Sequence, residues 1–184
     1  HPTFQEYFAA LAIDDWHFFL NHIPEDPLNS ESNYRIFEQS WRETYLLWLG
    51  SNHGTDSQKE ELLSTLMNLA EVLDKPNFYG IRAKFIVAYS LAEFQRFSGR
   101  QEILGWLLSL SISQIKTFSD PVASSARNLL GEIPSAVLAD PIAECLRAKD
   151  NHLKHDAAKL VGELKCSELQ VIGALTELAV NTEF

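Results

Sequence analysis

Cysteine is scarce: Cys145 and Cys166 are the whole supply, too few for a disulfide framework, and both sit within apolar helical patterns. A reducing cytoplasm suits them. No apolar run approaches the roughly 20 residues that span a bilayer, and no basic-then-apolar segment opens the sequence, so neither a membrane span nor a signal peptide is expected. Positive charge is short as well: 25 acidic residues against 15 basic ones give a formal net charge of -10, and neither half of the chain reverses that sign. A nucleic-acid partner is therefore disfavoured, because phosphate binding draws on clustered Lys and Arg. There is no Gly-Lys pair, and with it no G-x-x-x-x-G-K-[ST] loop to cradle phosphates, so the chain is expected not to hydrolyse ATP. Strand signals are nearly absent too, since no sustained period-2 alternation is bounded by turn residues.

What the sequence has is helical periodicity from end to end, in 184 residues of which 46% are hydrophobic. The fold class expected is all-α. The opening "HPTFQEYFAALAIDDW" carries a capping box, Thr3 with Glu6, and then places Phe4, Tyr7, Phe8 and Leu11 at i, i+3, i+4 and i+7. Such a stripe needs a surface to bury against and none precedes it, so the chain reads as a piece of a longer one. "DDWHFFLNH" predicts a short second helix stopped by Pro24, and Tyr34, Phe37, Trp41, Tyr45 and Trp48 predict the buried face of a long aromatic helix ending at Gly50. "GSNHGTDS" is a linker or turn.

From Lys59 onward shorter Leu/Ala helices alternate with Gly, Pro and Asp, and the pattern repeats. "SDPVASSARNLLGEI" (119–133) aligns with "KDNHLKHDAAKLVGEL" (149–164), Asp120 matching Asp150, Ala126 matching Ala157 or Ala158, and Leu130-Gly131-Glu132 matching Val161-Gly162-Glu163. Each continues into a second amphipathic helix. A fainter copy, "DKPNFYGIRAKFIVAYSLAEFQRFSG", lies earlier, with "RQEILGWLLSL" after it. Each unit predicts a helical hairpin in which Asp caps the first helix, Ala admits close packing and Gly makes the left-handed exit.

Two resemblances follow from these residues. Residues 118–180, and more loosely 74–117, resemble HEAT-type repeats. The opening "HPTFQEYFAA" resembles the hallmark at the winged-helix end of NACHT-type signalling NTPases, the group of the NOD-like receptors and their bacterial relatives, and "NYRIFEQSWRETYLLWLG" is similar to the helix that follows in the bacterial members. The resemblance implies an α-α superhelix of HEAT-like hairpins preceded by a small helical bundle: residues 1–50 following the NACHT and winged-helix core, then a repeat region at 59–184 with units near 74–117, 118–147 and 148–180. It implies a non-catalytic C-terminal sensor or regulatory region, bound to an upstream NACHT core and taking a protein partner or ligand on its repeats, in defence or stress signalling. ATP or ADP with Mg belongs to the parent, no cofactor to this chain. By resemblance alone His1 matches a histidine that reaches the phosphates of bound ADP; here it is inactive as a nucleotide sensor.

Other constellations read as structure. Cys145, His152, His155 and Cys166 lack a C-x-x-C or H-x₃₋₅-H frame, which reads as an exposed helix face plus two buried thiols and not as a zinc site. His17 and His22 sit among aromatics without H-E-x-x-H spacing, and no G-x-S-x-G elbow presents a nucleophile. Asp14-Asp15 and Glu60-Glu61 diverge by about 100° on a helix and cannot form an acid/base pair unaided, so capping and solvation account for them. Trp41, Tyr45 and Trp48 read as core. The last helix, with Val171, Ile172, Leu175, Leu178 and Ala179, has an apolar arc broader than a terminal cap needs, which predicts further repeats or self-association through that helix. The second helices, 135–147 and 168–180, are the expected ligand-facing elements. The competing readings are a free-standing HEAT-like adaptor and an acidic immunity-type inhibitor that masks a basic toxin.

Overall fold

A computed structural model of the chain describes residues 2–21, 33–72, 78–112 and 120–181. Among these the fold is all-α, with nine α-helices and no strand, and it divides into two compact units, one ending at Gly99 and one beginning at Arg100. The compositional change at Lys59 falls inside the first unit, in the first turn of its third helix.

The first unit holds α1 (Pro2–Leu11), α2 (Arg42–Gly50), α3 (Asp56–Val72) and α4 (Phe78–Ser90). Helix α1 packs on α2 and α3 packs on α4. The core is built on Phe19, Leu20, Trp48, Leu49, Leu62, Leu63 and Leu66, all removed from solvent. Phe19 meets the Tyr45 and Trp48 rings edge to face at 5.5 and 5.7 Å, the arrangement aromatic quadrupoles prefer. Trp48 keeps its polar edge satisfied by donating from Nε1 to the Ile13 carbonyl at 2.9 Å.

Tertiary hydrogen bonds shorten two expected helices here. "DDWHFFLNH" forms only the 3-10 turn Trp16–Phe18, started by the Asp15 side chain accepting from His17 N at 3.0 Å. The Phe18 carbonyl then accepts from Asn33 Nδ2 and Arg35 Nη1, each at 2.9 Å, and the Phe19 carbonyl from Ile36 N, so neither continues a helix. The long aromatic helix is likewise two 3-10 turns, Arg35–Phe37 and Gln39–Trp41, followed by α2. Glu38 between the turns is extended (φ -90°, ψ 130°), and the Phe37 carbonyl is held by the Arg82 guanidinium of α4. Pro24 and His22 lie outside the described residues. The turn after α2 ends in a capping box not read from the sequence: Gln58 N donates to Thr55 Oγ1 at 3.2 Å and Thr55 N to Gln58 Oε1 at 3.0 Å.

The second unit holds α5 (Arg100–Ser111), α6 (Asp120–Glu132), α7 (Ser135–Arg147), α8 (Asn151–Leu164) and α9 (Leu169–Asn181). The repeat-matching positions Ala126 and Ala157 are both fully buried, as are Leu130 and Val161. Asp150 caps α8 through His152 N at 2.8 Å and Leu153 N at 3.4 Å, whereas the side chain of Asp120 and all of Asp74 lie outside the described residues. Helix α5 packs on α6 and α7, and α7 packs on α8 and α9. Ser135 at the start of α7 bonds Glu168 just before α9, and Arg147 at its end pairs with Glu177 at 2.8 Å, so α7 and α9 run parallel.

The expected left-handed glycine exits are not found. Gly131 and Gly162 lie within α6 and α8, no described glycine has positive φ, and α8 ends instead on Lys165 at φ 54°. Both helices run on past the glycines because Leu129, Leu130, Leu160 and Val161 are held in the core just before them.

Candidate functional site

Most of the polar constellations prove to be struts. The ring of His17 stacks on buried Trp16 at 3.8 Å and its Nδ1 lies 2.7 Å from Asp15 Oδ1; the hydrogen bonds from His17 hold the Asp15 carboxyl below its usual range. His53 Nε2 meets Asp14 at 3.1 Å. Glu60 and Glu61 part company: Glu60 takes the Ser98 amide and hydroxyl, and Glu61 accepts from Trp16 Nε1 at 3.2 Å. These are tertiary ties beyond the capping and solvation expected. Arg127 closes the buried C-terminal end of α5 by donating to the Ser111 carbonyl at 3.0 Å. Tyr45 and Trp48 are core, and Trp41 stands half-buried against Phe18 at 5.0 Å. Since the Ser90 hydroxyl donates to the Ile86 carbonyl at 2.8 Å, buried Tyr45 is the donor to Ser90, and burial raises the phenol far above its ordinary range.

Cys145 is half-buried and Cys166 buried, each thiol pushed up by burial and then by a neighbouring carboxylate, Glu144 or Glu168, which makes both poor nucleophiles. His152 and His155 are exposed. Among the described residues no three His, Cys, Asp or Glu side chains converge on a point, and no helix is long and apolar enough to cross a membrane. His1 lies outside the described residues.

One polar recess was not foreseen. Lys59, only 5% exposed, donates from Nζ to the Ser51 carbonyl at 2.5 Å and lies 5.8 Å from the Phe94 ring, beside the Asp56–Arg96 ion pair at 2.7 Å. Desolvation lowers its pKa. The lysine caps the end of α2, which gives it a structural task.

The apolar surfaces are more telling. Phe4, Tyr7, Phe8 and Leu11 of α1 stay exposed, Phe4 at 65% and Phe8 at 63%, while Ala10 of the helix is buried. Below that face a groove of about 440 Å³ is lined by Ala9, Ala12, Ile13, Phe18 and Trp41, with Asp14 and Asp15 at its rim. In the second unit α7 shows solvent mainly polar groups, Asp140, Glu144 and Arg147, whereas α9 shows Leu169, Ile172 and Val180.

No family profile, curated protein or solved structure matches the chain. Its function is therefore read from these surfaces. Two helices, one in each unit, bury one side and leave large apolar side chains in water.

Proposed function

We propose that this chain is a non-catalytic interaction region, the C-terminal sensor or regulatory part of a NACHT-type signalling NTPase, whose HEAT-like hairpins take a ligand or protein partner and control a nucleotide switch housed upstream. The observation that carries the reading is the exposed aromatic face of α1, Phe4, Tyr7, Phe8 and Leu11. Phe4, Tyr7 and Phe8 belong to the opening that carries the resemblance, and with Leu11 they are open for an upstream core to cover. Supporting it, the side-by-side parallel helices α7 and α9 have the relation that successive hairpins of a stack have, and such a stack offers extended contour without a pocket. The switch works only by difference: a partner opens it if it binds the open form better than the closed one.

The native gene upstream of the His1 codon tests the parentage. A Walker loop some hundreds of codons earlier supports it, and a start codon beside His1 refutes it. In such a parent, Phe8→Glu loosens the core from α1 and raises basal nucleotide exchange. The acidic balance of the chain, at -10, favours as second reading an inhibitor that masks a basic protein, for which electrostatic steering makes association fall steeply with salt.

A further inference from the structure

We infer that the polar recess beside Lys59 binds a small zwitterion of the amino-acid class, its carboxylate taken by Lys59 and its ammonium by Glu93. The site lies within the first unit and is independent of the parentage proposed above. It begins with an incomplete set of hydrogen bonds. Lys59 is 5% exposed, and a lysine ammonium carries three N–H donors. Among the described residues one of them is used, toward the Ser51 carbonyl, while the Phe94 ring at 5.8 Å offers a weak attraction and no lone pair. Asp56 acts on the lysine only through space, because its carboxylate is taken by Arg96 at 2.7 Å. Capping α2 therefore needs a single donor and leaves two. Buried donors are costly to leave without an acceptor, and this side chain lines a recess of about 470 Å³, within the size range of small-molecule sites.

The lining charges select the ligand. Four ionisable side chains line the recess, Asp56, Lys59, Glu93 and Arg96, two of each sign. Asp56 and Arg96 neutralise each other. Lys59 and Glu93 remain, opposite in sign, and Glu93 has no side-chain hydrogen bond or ion pair among the described residues. Its carboxylate is laid over Gly50 on the recess wall, where only glycine leaves space: a Cβ there would stand 2.5 Å from Oε2. A phosphate or other multiply charged anion reaching Lys59 would bring its extra charge against Asp56 and Glu93, and a simple amine at Glu93 would meet Lys59 and Arg96 as like charges. A molecule with one charge of each sign satisfies both ends at once, and its charge-assisted hydrogen bonds are the strong kind. Leu49 and Phe94 are the only large apolar side chains of the lining, so polar recognition and not burial of an aliphatic body holds the ligand.

Titration of the whole isotope-labelled chain with alanine, followed by amide NMR, tests this, since the methyl side chain of alanine adds almost nothing to its two charges. The expected result is a saturable shift of amides in 50–56 and 93–96 with a midpoint on the order of millimolar, the affinity open to so few ligand atoms. Propionate, which lacks the ammonium, and ethylamine, which lacks the carboxylate, bind at least about tenfold more weakly, the loss of one charged hydrogen bond. Glu93→Gln removes the advantage of alanine over propionate and leaves the urea midpoint unchanged, because that carboxylate supports nothing else in the fold. Lys59→Met also weakens alanine binding, and as it uncaps α2 the Glu93 variant is the one that decides. No saturable shift with alanine overturns the proposal, as does propionate or inorganic phosphate binding as tightly as alanine, or a Glu93→Gln chain that binds alanine as before.

Discussion

The same substitution, glycine to alanine, should have opposite effects at two positions of this chain. At Gly54 an added Cβ would lie 2.7 Å from Trp48 Cζ2, 3.0 Å from Cε2 and 3.2 Å from Cη2. The indole has no room to yield: it is fully buried, pinned by Nε1 to the Ile13 carbonyl and set edge to face against Phe19. Overpacking a core of this kind costs about 1–3 kcal/mol, and Gly54→Ala should lower the stability of the first unit by that amount. At Gly162, inside α8, nothing lies within 4 Å of the new methyl, and the backbone is already helical. There alanine removes the entropy that glycine loses on folding and stabilises by about 0.5–1 kcal/mol. For a unit of this size that is a rise in Tm of about 2–8 °C. With Trp106 of α5 replaced by Phe, urea unfolding followed by the fluorescence of Trp16, Trp41 and Trp48 reports on the first unit, and amide exchange in α8 on the second. A Gly54→Ala protein as stable as the parent would refute the close approach to Trp48, and a destabilised Gly162→Ala would refute the helical placement of that glycine.

Three further outcomes follow from single contacts. Asp150→Ala leaves the amides of His152 and Leu153 without their cap and should cost about 1 kcal/mol, with the increased exchange of those amides as the local signature. Tyr45→Phe removes the buried bond to Ser90 and should cost about 1 kcal/mol by urea unfolding, leaving far-UV CD unchanged. The carboxyl of Asp15 titrates below its ordinary value in the folded chain because His17 bonds to it; the resulting stability is full above the unfolded value near pH 4 and is lost as pH falls through the lower folded value. A pH titration by NMR reads it directly, and Asp15→Asn should flatten that part of the acid-unfolding curve.

The all-α class was legible because the 3.6-residue period runs through nearly every segment, and the buried pairs Ala126/Ala157 and Leu130/Val161 show how far repeat matching carried. What failed was local in place but tertiary in cause. Nothing in "NYRIFEQSW" reveals that Arg82, 45 positions beyond Phe37, takes the Phe37 carbonyl and ends regular helix there. Gly162 looked like an exit because glycine so often supplies positive φ, but the core contacts of Leu160 and Val161 carry α8 past it and leave Lys165 in the left-handed position. In the sequence Lys59 marks only the point where the helices shorten, since a lysine bonded to the carbonyl at the end of a preceding helix has no sequence signature of its own.

Periodicity tells which face of a helix is apolar, not whether anything covers it, and in α1 and α9 that difference is the functional question. The four exposed side chains of α1 retain roughly half of the 1.5–3 kcal/mol that each contributes on full burial, so covering them yields on the order of 3–6 kcal/mol. Two separate molecules lose about 4–15 kcal/mol of translational and rotational freedom on association, which cancels that gain. A surface tethered in the same polypeptide loses much less, since closing a loop costs only about 0.6 kcal/mol for each doubling of its length. A contact confined to these four side chains is thus large enough to hold when tethered and too small to hold two free molecules together. In the proposed parent, association of this chain with a separately expressed upstream module should therefore be undetectable at micromolar concentrations and appear once the two are joined by a linker; tight association of the unlinked pieces would show that the contact reaches well beyond α1.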